Sequence, residues 1–435
     1  MKKIGLLVSL ILLCNLAIAQ HLSIHNQNNI YEVNIRQITP EGTFKAFEQH
    51  LTRLKEMGVK TLWFMPIYPI SVKDRKGTLG SYYAIQDYTK INPQFGTLQD
   101  WKHLVNEAHN KGFFVIIDWV ANHTGADHRW LQTHPGFYVQ DSITHQPIAP
   151  FDWTDVRKLN YSNYELRDSM TASLQYWIKE TNIDGYRCDV AAEVPSSFWR
   201  KAISGLRNSV KKPLFFLAEA EDTAIYNAGF DACYMWSSFS IMKDIVLGKK
   251  TAVDLKNNIL GSNKLFGKKL QLYFTSNHDE NSWNKADFRT MPGTIHDVFA
   301  ALTFTLPNTI PLVYNGQEEP TDRAISFFEK DTIVINKLQR ASFYKKMISF
   351  RNNPLFSNNA QFDYYTFDNK NLLGFERTIG KYKVIVIANL SGQTINGNYP
   401  IAISNQYRNL KTNKPITTTK NTYQLGPWDY LIYYK

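Results

Sequence analysis

From residue 30 onward, short apolar runs alternate with stretches whose apolar positions recur every three or four residues. The apolar runs predict strands at Ile30 to Gln37, Val59 to Pro66, Phe113 to Val120, Ile183 to Val190, Leu214 to Ala220, Phe230 to Met235, Leu270 to Ser276 and Thr309 to Tyr314. Between them lie helical patterns. Thr43 to Met57 has apolar positions Phe44, Phe47, Leu51 and Leu54, and Leu98 to Asn110 follows the second strand. Eight strand–helix units of this kind predict an α/β protein built on a parallel (β/α)8 barrel. About 40 residues separate the third strand from its helix near Tyr164, which predicts a loop subdomain over 124–163. After Pro354 the pattern shifts to short alternating runs: Phe362 to Phe367, Leu372 to Arg377, Tyr382 to Asn389, Thr422 to Leu425 and Tyr430 to Tyr434. Residues 355–435 therefore read as a C-terminal antiparallel β-sandwich domain, and 20–354 as the barrel.

The N-terminus is a separate unit. Lys2 and Lys3 precede an apolar run from Ile4 to Leu13, and Ala17-Ile18-Ala19 supplies small residues at a cleavage site. Residues 1–19 read as a secretory signal peptide, with Gln20 first in the mature chain and a periplasmic or extracellular destination. The run is short for a membrane span. Cys14 raises a lipoprotein alternative, but Leu13 stands where a small residue is needed. No later segment predicts stable membrane insertion. The net charge is +11, yet the lysines are scattered and carry no nucleic-acid-binding motif, so a solvated basic surface is expected. Cys188 and Cys233 fall on strands that are not neighbours and are expected as free, buried thiols. Aromatic residues make up 14% of the chain; most are expected to fill the core, with some left to line a cleft.

Candidate chemistry sits at strand ends. A parallel barrel carries its active site at the carboxyl ends of its strands. Asp118 ends the third strand, Asp189 the fourth and Glu219 the fifth, and Asp279 follows the seventh. One such residue means little, since Asp is common in turns; four converging on one mouth are a constellation. Gly185, Arg187 and Asp189 alternate and so share the inward face, while Cys188 points to the helices. An inward arginine beside Asp189 would hold that carboxylate ionised, as a nucleophile requires; a purely structural ion pair is the competing reading. Phe215, Leu217 and Glu219 share the next inward face, so Glu219 is expected to emerge from an apolar wall that raises its pKa and suits a general acid.

These motifs resemble those of the α-amylase family, glycoside hydrolase family 13, in the family's order. Asp118-Trp119-Val120-Ala121-Asn122-His123, Gly185-Tyr186-Arg187-Cys188-Asp189, Phe216-Leu217-Ala218-Glu219 and Phe274-Thr275-Ser276-Asn277-His278-Asp279 resemble its four conserved regions. Gly80-Ser81-Tyr82-Tyr83, Asp87-Tyr88, Phe95-Gly96-Thr97 and Gly316-Gln317-Glu318 are similar to its flanking loops. The resemblance implies Asp189 as nucleophile, Glu219 as acid/base and Asp279 as a third carboxylate on the sugar. It implies that Arg187 orients Asp189, that His123 and His278 donate to the bound sugar, that Tyr83 stacks on it, and that Asp118 supports the subsite. His109, His128, His134 and His296 have no such context and read as surface or structural residues.

The sequence also departs from the commonest family pattern. Ala192 and Glu193 follow the nucleophile where many α-amylases have Lys and His, so this segment resembles the cyclomaltodextrinase and neopullulanase branch, with Glu193 lining the leaving-group side of the cleft or standing as a surface carboxylate. That branch's extra N-terminal domain has no counterpart in the few residues before the first strand. Asn122 matches a family position that often ligates Ca2+; Asp127, Asp152 and Asp155 are the candidate co-ligands, and the alternative is that Asn122 only hydrogen-bonds its loop. No organic cofactor is expected. The expected function is a retaining α-glucan hydrolase acting on α-1,4 bonds of starch, maltooligosaccharides or cyclodextrins. The alternatives are a glucosyl-transferring or isomerising relative, an α-glucosidase, and a non-catalytic glucan-binding protein.

Overall fold

The computed structural model describes residues 29–320, 323–357, 359–417 and 421–435. The expected signal segment 1–19, including Cys14, lies outside the described residues. Eight parallel strands close into a barrel: β1 (Ile30–Val33), β2 (Thr61–Phe64), β3 (Phe114–Val120), β4 (Gly185–Asp189), β5 (Phe215–Ala218), β6 (Ala232–Tyr234), β7 (Leu270–Tyr273) and β8 (Thr309–Tyr314). Each lies inside one of the predicted runs, and β1 pairs with both β2 and β8 to complete the ring. Continuous apolar sequence suits these strands because a barrel strand is covered on both faces. Their side chains, with those of the surrounding helices, form one large core that includes Trp63, Trp101, Trp119, Trp177 and Trp199.

The helices start and stop where their sequences dictate. Thr97 and Asp100 form a reciprocal capping box at Leu98–Asn110, whose buried face is Trp101, Leu104, Val105 and Ala108. Asn163 caps Tyr164–Thr181, and Asn182 ends it in the left-handed conformation. Two predicted elements differ. The first strand stops at Val33 and Ile35–Ile38 is helical, and the Thr43 to Met57 segment is broken by a 3-10 turn at Glu48–His50.

Beyond β3 the chain forms a small lobe held by a two-stranded ladder, His123–Gly125 against Val156–Lys158. The C-terminal strands form a five-stranded antiparallel sheet and a two-stranded one. Leu372, Ile385, Ile387, Ile395, Tyr399, Tyr423 and Leu425 from both sheets share one core, the arrangement of a sandwich. Two of its strands, Ile395–Asn398 and Arg408–Asn409, were not predicted. Cys188 and Cys233 are free and buried. Among the described residues, no helix is long and apolar enough to cross a membrane.

Candidate active site

The register of the barrel sets the site. In the β3–β4 ladder Asp118 stands beside Arg187 and Val120 beside Asp189; in the β4–β5 ladder Arg187 stands beside Leu217, two residues before Glu219. One buried guanidinium thus meets three carboxylates. Arg187 Nη1 donates to Asp118 Oδ1 at 3.0 Å and to Asp189 Oδ1 at 2.9 Å. Its Nη2 lies 2.9 Å from Glu219 Oε2, an ion-pair contact off the hydrogen-bond direction. The guanidinium is also flanked by the rings of Trp63 and Tyr234, at 5.0 and 5.5 Å from their centroids. Burial works against the charged form of Arg187, but Asp118 and Glu219 outweigh it and keep the group protonated.

Glu219 differs from its expected setting. Its carboxylate is not surrounded by an apolar wall alone: besides Arg187, the amide of Val190 donates to Oε2 at 2.8 Å. The next residues fix this geometry. Val190 sits at φ 33°, a left-handed conformation that a β-branched residue adopts only under strain of about 1–3 kcal/mol. The turn is anchored to the β5 end by Ala191 N to Glu219 O at 3.1 Å and Glu219 N to Cys188 O at 3.0 Å. Among the described residues, neither Asp189 Oδ2 nor Glu219 Oε1 has a hydrogen-bond partner, and both residues line a cavity of about 480 Å3. Each carboxylate therefore has one oxygen fixed and one available to a ligand.

Burial pushes the Asp189 carboxyl well above the usual range; Arg187 opposes this, and Glu219 and Asp118 reinforce it. Asp118 is raised for the same first reason. Arg187 is thus the main group favouring the ionised form of Asp189, and it acts against burial and two neighbouring carboxylates. Asp118 itself lies behind the cavity, receiving Trp63 Nε1 at 3.2 Å and the Tyr83 hydroxyl at 3.0 Å as well as Arg187.

The opposite wall is built on β7 and the loop after β2. Asn277 caps the short helix His278–Ser282, its Oδ1 accepting from Glu280 N at 2.8 Å, and this turns Asp279 into the cavity. His278 is held on both sides: Nδ1 lies 2.5 Å from Glu32 Oε1, and Nε2 lies 3.3 Å from Asp279 Oδ2 and 2.7 Å from the Tyr83 hydroxyl. Burial disfavours its charge, but Asp279 and Glu32 prevail and raise the imidazole well above its ordinary value. Burial likewise works against an ionised Asp279, yet His278 and Arg187 hold its carboxyl below the usual range. The ring of Tyr83 stacks on His278 at 5.4 Å. His123 lines the far side, its pKa lowered to about 3 by burial, so it is neutral and available as a hydrogen-bonding group.

The structure thus gathers Tyr83, His123, Asp189, Glu219 and Asp279 around one cavity, with Asp118, Arg187 and His278 directly behind them. Glu193 is not among the residues lining it; exposed on the turn after β4, it pairs with Lys158 at 3.5 Å. Asn122 is buried and contacts His123 Nδ1 at 3.4 Å, while its carbonyl accepts from Leu159 N. The three aspartates named with Asn122 each have another partner or face solvent. Asp127 Oδ2 accepts from the amides of Val72 and Lys73, Asp155 faces Lys76 at 3.3 Å, and Asp152 is exposed. Among the described residues no three acidic, histidine or cysteine side chains converge.

Sequence reasoning missed Glu32 and the wall of Trp283, Phe327 and Phe328. Glu32 is an acidic residue inside the apolar run Ile30-Tyr31-Glu32-Val33, a buried charge that needed a partner and could have been found on that ground. The aromatic wall comes partly from the irregular chain after β8, which carries no periodic signal.

A closed parallel barrel with buried carboxylates on one guanidinium, opening into a cavity faced by aromatic rings, is the architecture of a glycoside hydrolase. Residues 23–156 match the family model described as the alpha amylase catalytic domain. The fold superposes on the crystal structure of an alpha-amylase from Lactobacillus plantarum with a TM-score of 0.85 and 28% identity, covering 95% of this chain and 100% of that one. A noncanonic maltogenic alpha-amylase, AmyB from Thermotoga neapolitana, gives a TM-score of 0.83 at 28% identity over 94% and 98% of the two chains. In sequence, Alpha-amylase 2 of Dictyoglomus thermophilum is 28% identical over 64% of this chain and 49% of its own, so the chain spans about half the length of that relative. Over residues 23–156 in sequence, and over nearly the whole chain in fold, the protein is similar to the α-amylase family.

Proposed function

We propose that the protein is a retaining α-glucan hydrolase that cleaves α-1,4-glucosidic bonds of maltooligosaccharides, cyclodextrins or starch, acting after export as residues 1–19 imply. The observation that carries this reading is the grip of one guanidinium on both Asp189 and Glu219. Each carboxylate lies 2.9 Å from a terminal nitrogen of the same guanidinium, which makes the two close neighbours at the ends of adjacent strands. That suits the separation of about 5–5.5 Å used by retaining pairs better than the wider gap of inverting ones.

In the first step Asp189 Oδ2 attacks the anomeric carbon. The bond to the leaving sugar breaks as Glu219 delivers a proton to its oxygen, and a glycosyl ester forms on Asp189. Water then attacks the anomeric carbon and gives its proton to Glu219, and Asp189 leaves as the carboxylate. Arg187 and the Val190 amide hold the unreactive oxygens still, which is pre-organisation rather than chemistry. Asp279, tied to His278, faces the charge that develops on the sugar. Tyr83 and the neutral His123 hold its hydroxyls and face. Relatives named cyclomaltodextrinase and maltogenic alpha-amylase support the short-glucan part of the reading.

The test is reducing-sugar release from maltotriose, cyclodextrin and amylose, with the anomeric form of the fresh product followed by NMR. The α-anomer is expected, and Asp189→Asn should lower kcat on the order of 10⁴-fold. A variant that cleaves within tenfold of the parent would remove Asp189 from this role, and a β-anomeric product would exclude retention.

A further inference from the structure

The loop after β2, residues 71–80, runs as a strap from the lobe after β3 to the chain after β8. On the lobe side, the amides of Val72 and Lys73 donate to Asp127 Oδ2 at 2.8 and 3.2 Å, Asp74 pairs with Arg157 at 2.5 Å, and Lys76 pairs with Asp155 at 3.3 Å. On the other side, the Thr78 amide donates to Glu329 Oε1 at 2.8 Å, and Leu79 N donates to Phe328 O at 3.1 Å. Buried Arg36 ties both loops together, donating from Nη1 to Gly80 O at 3.0 Å and to Phe327 O at 3.2 Å. Arg75 folds back on its own loop, onto Ser71 O and Ile70 O, and stiffens it. Lys76, Asp155, Phe327 and Phe328 all line the cavity.

The barrel order fixes which end this closes. β5, which carries Glu219, is four strands from β1 in either direction round the ring, and the strap and the β8 loop flank β1. A general acid stands beside the leaving oxygen, so the departing sugar lies on the Glu219 side. The strap therefore crosses the opposite side, where the sugar bound to Asp189 and any units beyond it must fit. From this, and resting on the hydrolase reading above, we infer that the strap makes the site a blind pocket at the glycone end. The enzyme then takes glucan only from the non-reducing terminus, which narrows the substrates proposed above to linear maltooligosaccharides and starch chains and excludes the cyclodextrins, whose rings have no end. Lys76 and Asp155 present an ammonium and a carboxylate at the closed end, the groups suited to hydrogen-bond the hydroxyls of a terminal sugar that no internal unit offers.

The experiment compares 4-nitrophenyl maltoheptaoside with the same compound whose terminal 4- and 6-hydroxyls are tied as an ethylidene acetal. The free-ended substrate should be cleaved ~100-fold faster or more, because the blocked end neither fits nor bonds the closed wall. The double variant Asp74→Ala/Glu329→Ala, which removes one side-chain tie on each side of the strap and loosens it, should narrow that ratio ~10-fold. Equal cleavage of both substrates by the parent enzyme overturns the blind pocket while leaving the hydrolase intact. An unchanged ratio in the variant overturns the strap as its cause. Cleavage of neither substrate overturns the hydrolase reading, and this inference with it.

Discussion

Arg187 brings one positive charge to Asp118, Asp189 and Glu219, all at least largely withdrawn from water. Such an imbalance serves chemistry at the expense of stability. The sign follows from Asp189. Its carboxyl, raised by burial, binds a proton more tightly in the folded chain than in the unfolded one. The contribution of Asp189 to stability is therefore greatest at low pH, below an unfolded value of about 3.9, and declines as pH rises toward the folded value. Asp189→Asn removes the charge and keeps the shape. It should raise stability at pH 7 by about 1 kcal/mol, and the gap between variant and parent should shrink as pH falls toward 4. Thermal melts across that range check both the sign and the trend; a variant less stable than the parent at pH 7 would contradict the argument. Much of this cluster was legible in the sequence. The spacing of Gly185, Arg187 and Asp189 puts Arg187 and Asp189 on one face. The contact with Glu219 was not, because it depends on the register between two strands and on the strained turn at Val190. Strand spacing encodes neither.

The element that positions these groups is β4, and it starts at a glycine that nothing else can replace. Gly185 has φ +145°, and a Cβ there would lie 1.8 Å from the carbonyl oxygen of Phe215 on β5. Both the conformation and the contact involve backbone, so no side-chain shift relieves them. Gly185→Ala should cost about 3–5 kcal/mol, by forcing β4 and β5 apart at the base of the ladder that carries Arg187 and Glu219. Denaturant unfolding and soluble yield measure the loss; a midpoint within experimental error of the parent would refute the tight approach. The eight barrel strands were readable because parallel strands buried on both faces are continuous apolar runs. The misreadings have physical causes. Ile35-Arg36-Gln37-Ile38 continues an apolar alternation, yet it turns helical because its side chains, Arg36 included, are all buried between loops rather than laid on a sheet. Ile395–Asn398 and Arg408–Asn409 are short and mostly polar, and they pair because Thr422–Leu425 and Tyr430–Tyr434 stand beside them. The strap of residues 71–80 has no period at all; its course is set by side chains far away in the sequence.

At the scale of the molecule, the C-terminal sandwich packs along the barrel helix Thr294–Thr305 and reaches its last turn through Arg377. Arg377, on the strand Leu372–Ile379, is 4% exposed and reaches into the barrel to donate to Thr305 O at 3.1 Å, Leu306 O at 2.6 Å and Leu355 O at 3.0 Å. Its guanidinium also lies over Phe356, 4.9 Å from the ring centroid. The carbonyls of Thr305 and Leu306 end the helix Thr294–Thr305, whose last groups have no partner within the helix, and that helix leads into the start of β8. Contacts at the amino ends of barrel strands govern stability, whereas those at the carboxyl ends govern chemistry. Arg377→Ala leaves three carbonyls short of a donor and opens space beside Phe356, a loss of about 3 kcal/mol. Because the change lies at the opposite end of β8 from the cavity, kcat and KM measured well below the melting temperature should stay within about twofold of the parent. Limited proteolysis should cut first in the segment joining the two units near Pro354, since that junction loses the bonds holding Leu355 and the sandwich to the barrel. A fall in kcat matching the fall in stability would mean that the interface is coupled to the mouth of the barrel. Intact kinetics with early cleavage at the junction would mean that the sandwich braces the barrel from below and takes no part in holding the sugar.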